Sequence, residues 1–368
     1  MNPDLLYQVA LTLIKNIGPV HTKILMDHYK NASSIFSAKH ADLEKLEGIG
    51  TVRASAIKHF KDFTRAEEEI AFIEKFQISP LFITDENYPK RLLNCYDPPV
   101  LLYYKGSAEL NTSKVVAIVG TRSNTSYGKH FTEQLLKDLT EQQVLIVSGL
   151  AFGIDTIAHK AAIKNGLPTV GVVGHGLDTI YPYDNKSLAK QMIKDNGGIL
   201  TQFTSKTKPD KHNFPIRNRI VAGISDVTII IETSVKGGSM ITAEMANGYN
   251  RDVFALPGRT TDTYSAGSNY LIANNKAVLL NSARQLIEFM GWEEKKHKKV
   301  KKQKELFLNL SAEEKIIIDI LNEKETVHID EINIKSGINS SSVAAAILNL
   351  EFQNVIRSLP GKVYALYD

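Results

Sequence analysis

Cysteine and long apolar runs are scarce in this sequence. Its single cysteine, Cys95, can form no intramolecular disulfide and supplies no metal cluster, so we expect no metal site and a reducing compartment, the cytoplasm. Residues 1–18 lack the charged-then-apolar order of a signal peptide, and no apolar run is long enough to cross a bilayer. We therefore expect neither export nor membrane insertion.

Positive charge is unevenly distributed along the chain. The formal net charge is +4, but residues 295–304, KKHKKVKKQK, contain seven lysines and no acid. Removing these seven charges leaves the rest of the chain at −3, so global charge does not indicate nucleic-acid binding and local clusters must decide it. We interpret residues 291–305 as a lysine-rich linker that acts as a solvated spacer, with electrostatic gathering of DNA as the alternative.

Three folded regions with different residue patterns surround this linker, as expected for a chain of 368 residues. Residues 1–80 alternate apolar and polar side chains at helical spacing and predict a small helical domain. Residues 81–290 alternate short β-branched runs with helical segments, which predicts a doubly wound α/β domain with a parallel sheet. Residues 306–368 predict a third, smaller domain.

The helical region contains a helix-hairpin-helix-like stretch at residues 43–51, LEKLEGIGT. Two glycines permit a tight turn, so the next helix could hold a phosphate on its free backbone N–H groups. The alternative is a plain helical hairpin whose glycines only shape the turn. Because Arg53 and Lys58 are the only cations on that helix, the sequence leaves both interpretations open.

The central region predicts a sheet of continuously apolar strands, each followed by a loop and a helix. The candidate strands are residues 115–120, 144–149, 169–174, 198–203, 227–232, 253–257 and 277–280.

The carboxyl-terminal region predicts a winged helix. Ser311 and Glu314 form a capping box, residues 329–336 and 340–352 follow as helices, and two strands flank a Pro-Gly turn at residues 360–361. A winged helix that reads duplex DNA carries polar or basic side chains on its third helix, whereas this helix has no cation. We therefore expect a protein-interaction or degenerate module.

Unusual residues follow the predicted strands, at the edge where open α/β sheets bind ligands. Gly120, Thr121 and Arg122 follow the first strand, and Ser148 and Gly149 end the second. Glycine backbone, hydroxyls and an arginine suit a phosphate or a stacked base. No Gly-x-Gly-x-x-Gly follows the first strand, so a nicotinamide cofactor is not expected.

The segment Phe-Pro-Ile-Arg-Asn-Arg at residues 214–219 carries the strongest single signal. Proline is favoured at the first helical position, so we predict a helix that begins at Pro215, with Arg217 and Arg219 in its first turn. Cations are unfavourable at that positive end of the helix dipole. The arrangement predicts a polyanion in front of the helix, and we favour a nucleic-acid backbone.

A second glycine-containing segment follows the strand predicted at residues 227–232. Lys236, Gly237 and Gly238 precede Ser239 and Thr242 near the start of the next helix, where anions are favoured. The alternative is close packing of this helix on the sheet.

Together these strings closely resemble the DprA family of DNA processing proteins, also called Smf. The matching strings are VAIVGTR at 116–122, SGLAFGID at 148–155, GLDTIYP at 176–182, FPIRNRIVAGISD at 214–226, KGGSMITAEMA at 236–246, VFALPGR at 253–259 and AGSNYLI at 266–272. The resemblance implies an extended Rossmann-like domain that binds single-stranded DNA, forms a homodimer and loads a RecA-type recombinase onto incoming DNA during natural transformation. It implies no required cofactor and no established catalytic reaction.

By this resemblance and the physical arguments above, we predict DNA binding by one set of residues. They are Gly120, Thr121, Arg122, Ser148, Gly149, Lys211, Phe214, Arg217, Asn218, Arg219, Lys236, Gly237 and Gly238. Lysine and arginine would neutralise phosphates, while Phe214 or a guanidinium plane would support an unpaired base. The family usually has Ser-Gly-Ser where this chain has Gly237-Gly238-Ser239, and Ser-Glu where it has Thr201-Gln202, so details at the rear of the pocket differ.

Two alternative functions stay open at this point. A Rossmann-like nucleotide hydrolase, similar to phosphoribohydrolases, could use Glu244 beside a phosphate-binding loop, or Asp155 and His159 as an acid–base pair. For that pair a helix cap and a buried, hydrogen-bonded histidine are the more ordinary roles, and Glu232 is equally ambiguous. A non-DNA-binding adaptor is the other alternative, and it predicts little effect of removing Arg122.

Overall fold

The computed structural model describes residues 4–293 and 310–367, so the lysine-rich run at 295–304 lies outside the described residues. The chain divides into two compact units, Met1–Leu280 and Asn281–Asp368. Among the described residues, no helix combines the length and the apolar character needed to cross a bilayer. The same residues contain no group of three His, Cys, Asp or Glu side chains placed to hold a metal ion.

Short amphipathic helices form the first part of the first unit. They are α1 (Leu5–Leu13), α2 (Pro19–Tyr29), α3 (Ala32–Ser37), α4 (His40–Glu44), α5 (Gly50–Lys58) and α6 (Phe63–Phe76). Their apolar faces share one hydrophobic core with the sheet that follows. Glu69 on α6 accepts from Ser205 N at 2.9 Å and from Arg65 Nη2 at 2.7 Å, which ties α6 to the loop region near Ser205. The predicted boundary near residue 80 stays a prediction.

The hairpin between α4 and α5 has the expected glycine turn, with φ of +85° at Gly48 and +63° at Gly50. Its cations, however, face backbone carbonyls. Arg53 Nη1 donates to Gly48 O at 3.2 Å, and Lys58 Nζ donates to Phe36 O at 2.6 Å. This geometry favours the plain helical hairpin over a phosphate site.

Within residues 4–293 the chain forms a nine-stranded sheet. Its strands are β1 (Ser79–Phe82), β2 (Leu101–Gly106), β3 (Val115–Val119), β4 (Leu145–Ser148), β5 (Thr169–Val172), β6 (Gly198–Thr201), β7 (Val227–Ile230), β8 (Asp252–Ala255) and β9 (Val278–Leu279). The helices between them are α7 (Lys90–Leu93), α8 (Ser126–Asp138), α9 (Ile154–Lys164), α10 (Lys186–Lys194), α11 (Asn213–Gly223), α12 (Gly238–Gly248) and α13 (Ala266–Ala273).

The strand order is β1-β2-β6-β5-β4-β3-β7-β8-β9. Strands β3 to β9 pair in parallel, so the predicted Rossmann-like, doubly wound α/β sheet is confirmed, and each predicted strand lies within two residues of an observed one. Strands β1 and β2 extend it antiparallel through β6, which the sequence analysis did not predict. Strand β3 has β4 on one side and β7 on the other, so the connections diverge there and open a crevice at the carboxyl ends.

The second unit contains the predicted winged helix. Its elements are α14 (Ala283–Phe289), α15 (Ala312–Asn322), β10 (Val327–His328), α16 (Ile329–Ser336), α17 (Ser340–Phe352), β11 (Ile356–Leu359) and β12 (Val363–Leu366). Glu314 N donates to Ser311 Oγ at 3.1 Å and Ser311 N donates to Glu314 Oε2 at 2.7 Å, so the capping box is present. Helix α17 leaves Leu348 and Phe352 exposed.

Candidate nucleic-acid interface

A groove of about 550 Å³ lies at the carboxyl ends of the strands, where the connections diverge. Loops after β3, β4 and β7 and one face of α11 form its walls. The predicted residues that line it are Gly120, Thr121, Arg122, Gly149, Phe214, Arg217, Asn218, Gly237 and Gly238. The structure therefore brings together side chains and backbone from four separate strings of the sequence.

Helix α11 begins at Asn213, two residues before the predicted start at Pro215. Proline is tolerated there because the N–H groups of the first turn have no acceptor within the helix. Arg217 and Arg219 consequently lie in the second turn, so the prediction that both stand at the positive end of the dipole was wrong. Phe214, Arg217 and Asn218 recur at helical spacing and face the groove together.

Arg122 and Phe214 lie side by side in the groove wall, with Arg122 exposed and Phe214 half-buried. The Arg122 guanidinium lies 5.6 Å from the centre of the Phe214 ring, which is the geometry of a cation–π contact. The Phe214 ring in turn stacks on Tyr181, with ring centres 6.1 Å apart and planes inclined by 30°. A cation and a ring therefore stand side by side at the mouth of the groove.

Arg217 lies deeper, with 5% of its surface exposed. Its Nη1 donates to Val172 O at 2.8 Å, whereas its Nε is buried without a hydrogen-bond partner. Burial lowers the pKa of Arg217 to about 10, and the nearby Asp155 carboxylate opposes that shift. Burial raises the pKa of Asp155, and Arg217 opposes this change as well. Asp155 therefore compensates part of the cost of burying the Arg217 charge.

Gly149 permits this arrangement because it lies between the two charged groups. A β-carbon at residue 149 would stand 1.9 Å from Arg217 Nη1 and 2.6 Å from Asp155 Oδ2. Only a residue without a side chain fits there. The glycine is thus required by close approach of charged side chains.

The amino-terminal end of α12 forms another wall of the groove beside the α11 face, where Asn218 Nδ2 donates to Gly238 O at 3.4 Å. Gly237 is the residue before the helix and Gly238 its first residue, so the positive end of the dipole faces the groove. The Gly237 N–H itself already donates to Ser234 O at 2.9 Å. Ser239 is 7% exposed, and its buried hydroxyl has no hydrogen-bond partner. An unpartnered hydroxyl beside a helix start is suited to a bound anion.

The remaining predicted residues lie outside the set of described residues that line the groove. Ser148 is fully buried and donates to Ile118 O at 2.6 Å, so its hydroxyl supports the β3 backbone. Arg219 contacts Asp97 Oδ2 at 3.1 Å and Gln202 Oε1 at 2.7 Å. Lys211 and Lys236 are exposed, and Lys236 directly precedes the groove residue Gly237.

The groups proposed for acid–base chemistry have structural partners. His159 is fully buried, its Nδ1 lies 2.7 Å from Thr169 Oγ1, and burial lowers its pKa to about 3, with a contribution from Arg217. Asp155 accepts from Ala151 N at 3.3 Å. Glu244 forms an ion pair with Lys276 at 2.7 Å. His159 is thus buried and hydrogen-bonded through Nδ1, while its Nε2 is buried without a partner. Asp155 is not the helix cap, because Gly153 is the residue before α9 and no side chain caps it.

Glu232 is also a structural group. Its carboxylate is 1% exposed and accepts from Thr125 N at 2.9 Å, at the amino-terminal cap of α8. The positive end of the α8 dipole is therefore already neutralised by an internal carboxylate.

Sequence reasoning assigned no role to Tyr264 and Thr233, which also line the groove. Tyr264 lies in the loop that follows β8. The carboxyl ends of neighbouring parallel strands meet at one edge of the sheet. Applying this rule to the loop after β8, as it was applied to the loops after β3 and β7, would have predicted Tyr264 at the groove.

Comparison with known proteins gives consistent matches. The profile of the DNA recombination-mediator protein A family matches residues 79–291, and that of the DprA winged helix domain matches residues 306–362. The chain is 36% identical over 297 residues to Protein Smf from Synechocystis, a match that covers 79% of this chain and 73% of that protein.

Two solved structures are similar to the chain. The X-ray structure of DNA processing protein A from Streptococcus pneumoniae has a TM-score of 0.65 and 32% identity, covering 78% of this chain and 97% of that one. A structure that describes the single-stranded DNA binding mode of DNA processing protein A from Helicobacter pylori has a TM-score of 0.52 and 38% identity, covering 58% and 94%.

Proposed function

The chain belongs to the DNA recombination-mediator protein A family, and from this premise we propose that it is a DNA-processing protein that binds single-stranded DNA in the groove at the carboxyl ends of its sheet. The observation that carries this proposal is the Arg122–Phe214 pair, a cation stacked on a ring at the mouth of a groove. A similar protein from Helicobacter pylori has a described single-stranded DNA binding mode.

The two walls of the groove have complementary roles in this proposal. Phe214 and the Arg122 guanidinium offer surfaces on which an unpaired base stacks, and base–aromatic stacking is tolerant of sequence. The α12 start, with the Ser239 hydroxyl and the backbone of Gly238, holds a phosphate of the same strand.

This division of roles favours a single strand over a duplex. Bases in a duplex are stacked on one another, so they cannot present a face to Phe214 without being unpaired at a cost of a few kcal/mol. Phosphate contacts alone would hold both forms of DNA equally.

The finer parts of the function rest on the family. We propose that the protein protects incoming DNA during natural transformation, forms a homodimer, and delivers the strand to a RecA-type recombinase. Two grooves in one dimer would hold a longer strand with greater avidity. We assign no catalytic reaction and no cofactor to the groove.

Binding of labelled oligonucleotides to the full chain tests the proposal. Wild type, Arg122→Ala and a control, Arg284→Ala, are compared on single-stranded and duplex DNA at two salt concentrations. Arg284 is an exposed arginine of α14 that pairs with Glu288, so it controls for loss of one positive charge. We expect Arg122→Ala to weaken single-strand binding by about tenfold and to lower the salt dependence by about one phosphate contact.

Equal affinity of wild type for both DNA forms would contradict a stacking groove. Unchanged binding of single-stranded DNA by Arg122→Ala would show that the binding site lies elsewhere. Absence of DNA binding in wild type would favour the adaptor interpretation.

A further inference from the structure

Exposed aromatic rings continue beyond the groove on the side of Phe214. Tyr181 is 46% exposed, Phe152 is 44% exposed and Tyr183 is 73% exposed. Large rings that remain this exposed are unusual when they occur together, whereas single exposed rings need no explanation. The patch begins at the ring that stacks on Phe214, so it is continuous with the groove wall.

Tyr181 and Phe152 border a recess of about 20 Å³ that shares Arg122, Phe214 and Arg217 with the groove. A recess of this volume holds about one water molecule, so no base enters it. The rings therefore present an outer surface for stacking and leave no slot for insertion.

A cation accompanies the outermost ring. Lys186 Nζ, at the start of α10, lies 5.2 Å from the centre of the Tyr183 ring. Alternation of exposed rings with lysine is the pattern by which proteins follow a single strand, because rings stack bases and cations neutralise the adjoining phosphates. Asp184 stands between them in sequence and limits the local positive charge.

The spacing of the two tyrosines suits consecutive nucleotides. They are two residues apart, so their Cα atoms are separated by at most about 7 Å. A strand leaving Phe214 would meet the Tyr181 ring first and the Tyr183 ring next.

We infer that Tyr181, Tyr183 and Lys186 form an extension of the binding site that holds the nucleotides of a single strand flanking those in the groove. The inference rests on the proposed function. It adds residues outside the groove to the contact surface, and it fixes the direction in which the strand continues, from Phe214 toward the start of α10.

The test compares full-length wild type with the double variant Tyr181→Ala/Tyr183→Ala on an oligothymidylate of about 15 nucleotides, a length near the upper end for one binding module. We expect the double variant to bind about tenfold more weakly. A second double variant, Tyr181→Phe/Tyr183→Phe, keeps both rings and should bind like wild type. Failure of these phenylalanines to restore binding would overturn a stacking role.

Phe76→Ala is the matched control. Phe76 is 41% exposed and has Lys75 and Lys105 within 5.5 and 5.8 Å of its ring centre, so it has the same chemistry. Lys105 pairs with Ile199 near the start of β6, at the opposite end of the sheet from the groove. We expect no change in affinity for this variant. A loss equal to that of the double variant would overturn the inference.

Photocrosslinking of the wild-type protein tests the same contacts without any substitution that could alter folding. Oligothymidylates that carry 5-iodouracil at single positions should crosslink to Tyr181 or Tyr183. If binding depends on Arg122 while crosslinks and affinity are independent of both tyrosines, the extension is wrong and the groove assignment stands. If wild type fails to bind single strands, both proposals fall.

Discussion

Arg217 and Arg219 stand on opposite faces of α11, although one residue separates them. Arg217 faces the groove and lies beside Asp155, whereas Arg219 contacts Asp97 and Gln202. Positions two residues apart in an α-helix differ by about 200° around the helix axis. The two guanidiniums therefore cannot both point at the same strand of DNA.

Arg219→Ala should therefore affect stability more than DNA binding. Loss of its partly buried contacts with Asp97 and Gln202 should lower the free energy of unfolding by about 1–3 kcal/mol. Urea denaturation measures this effect, and binding of single-stranded DNA under native conditions should stay within about twofold of wild type. A large loss of DNA affinity with unchanged stability would place Arg219 in the interface after all.

Gly149→Ala should lower both stability and DNA affinity. The new β-carbon would overlap Arg217 Nη1, so the guanidinium must move away from Asp155, at a cost of about 1–3 kcal/mol. Gly238→Ala is the matched control, because a β-carbon there meets no atom within 4 Å. Thermal unfolding of the two variants should differ clearly, and equal melting temperatures would contradict the crowding described at Gly149.

Ser239→Ala should separate binding from stability. Its hydroxyl is buried without a partner, so its removal should leave the free energy of unfolding unchanged or raise it by up to about 1 kcal/mol. If that hydroxyl holds a phosphate, affinity for single-stranded DNA should fall by about fivefold. Ser268→Ala removes another buried, unpartnered hydroxyl that is outside the groove lining, and it should leave affinity unchanged.

Stability should fall in mild acid because of His159. Its ordinary pKa is 6.5, and burial lowers the pKa to about 3 in the folded protein. Between these values the unfolded chain binds a proton that the folded chain does not, so stability decreases as the pH falls below about 6.5. At pH 5 the loss relative to pH 7 is about 2 kcal/mol. Unfolding of wild type and His159→Asn at both pH values checks this, and an identical pH dependence in the variant would contradict it.

Much of the fold could be predicted because its signals are local. The parallel strands are continuously apolar, and residues 311–314 contain the capping box of the helix they begin. The hydrophobic pattern and the capping residues were therefore sufficient to predict these elements. Strands β1 and β2 were missed because the pairing of β1 with β2 and of β2 with β6 is a tertiary arrangement between separate segments of the chain. The antiparallel edge has no motif of its own.

The candidate site was predictable where strand ends converge. Arg122, Phe214 and Gly237 meet in one groove as the topology requires, and their role in DNA binding stays a prediction. Helical periodicity could have predicted that Arg217 and Arg219 lie on different faces of α11. The partner of Arg217 could not be foreseen, because the position of Asp155 beside it depends on how α9 and α11 pack on the sheet.

The internal carboxylate of Glu232 has a consequence for how the groove treats charge. Two helices, α8 and α12, begin beside the point where the connections diverge, yet the first already carries a buried anion at its cap. In the proposed complex a phosphodiester would therefore gain less at the start of α8 than at the start of α12. The electrostatic asymmetry of the groove would thus direct the sugar–phosphate chain toward α12 and leave the nucleobases facing Arg122 and Phe214.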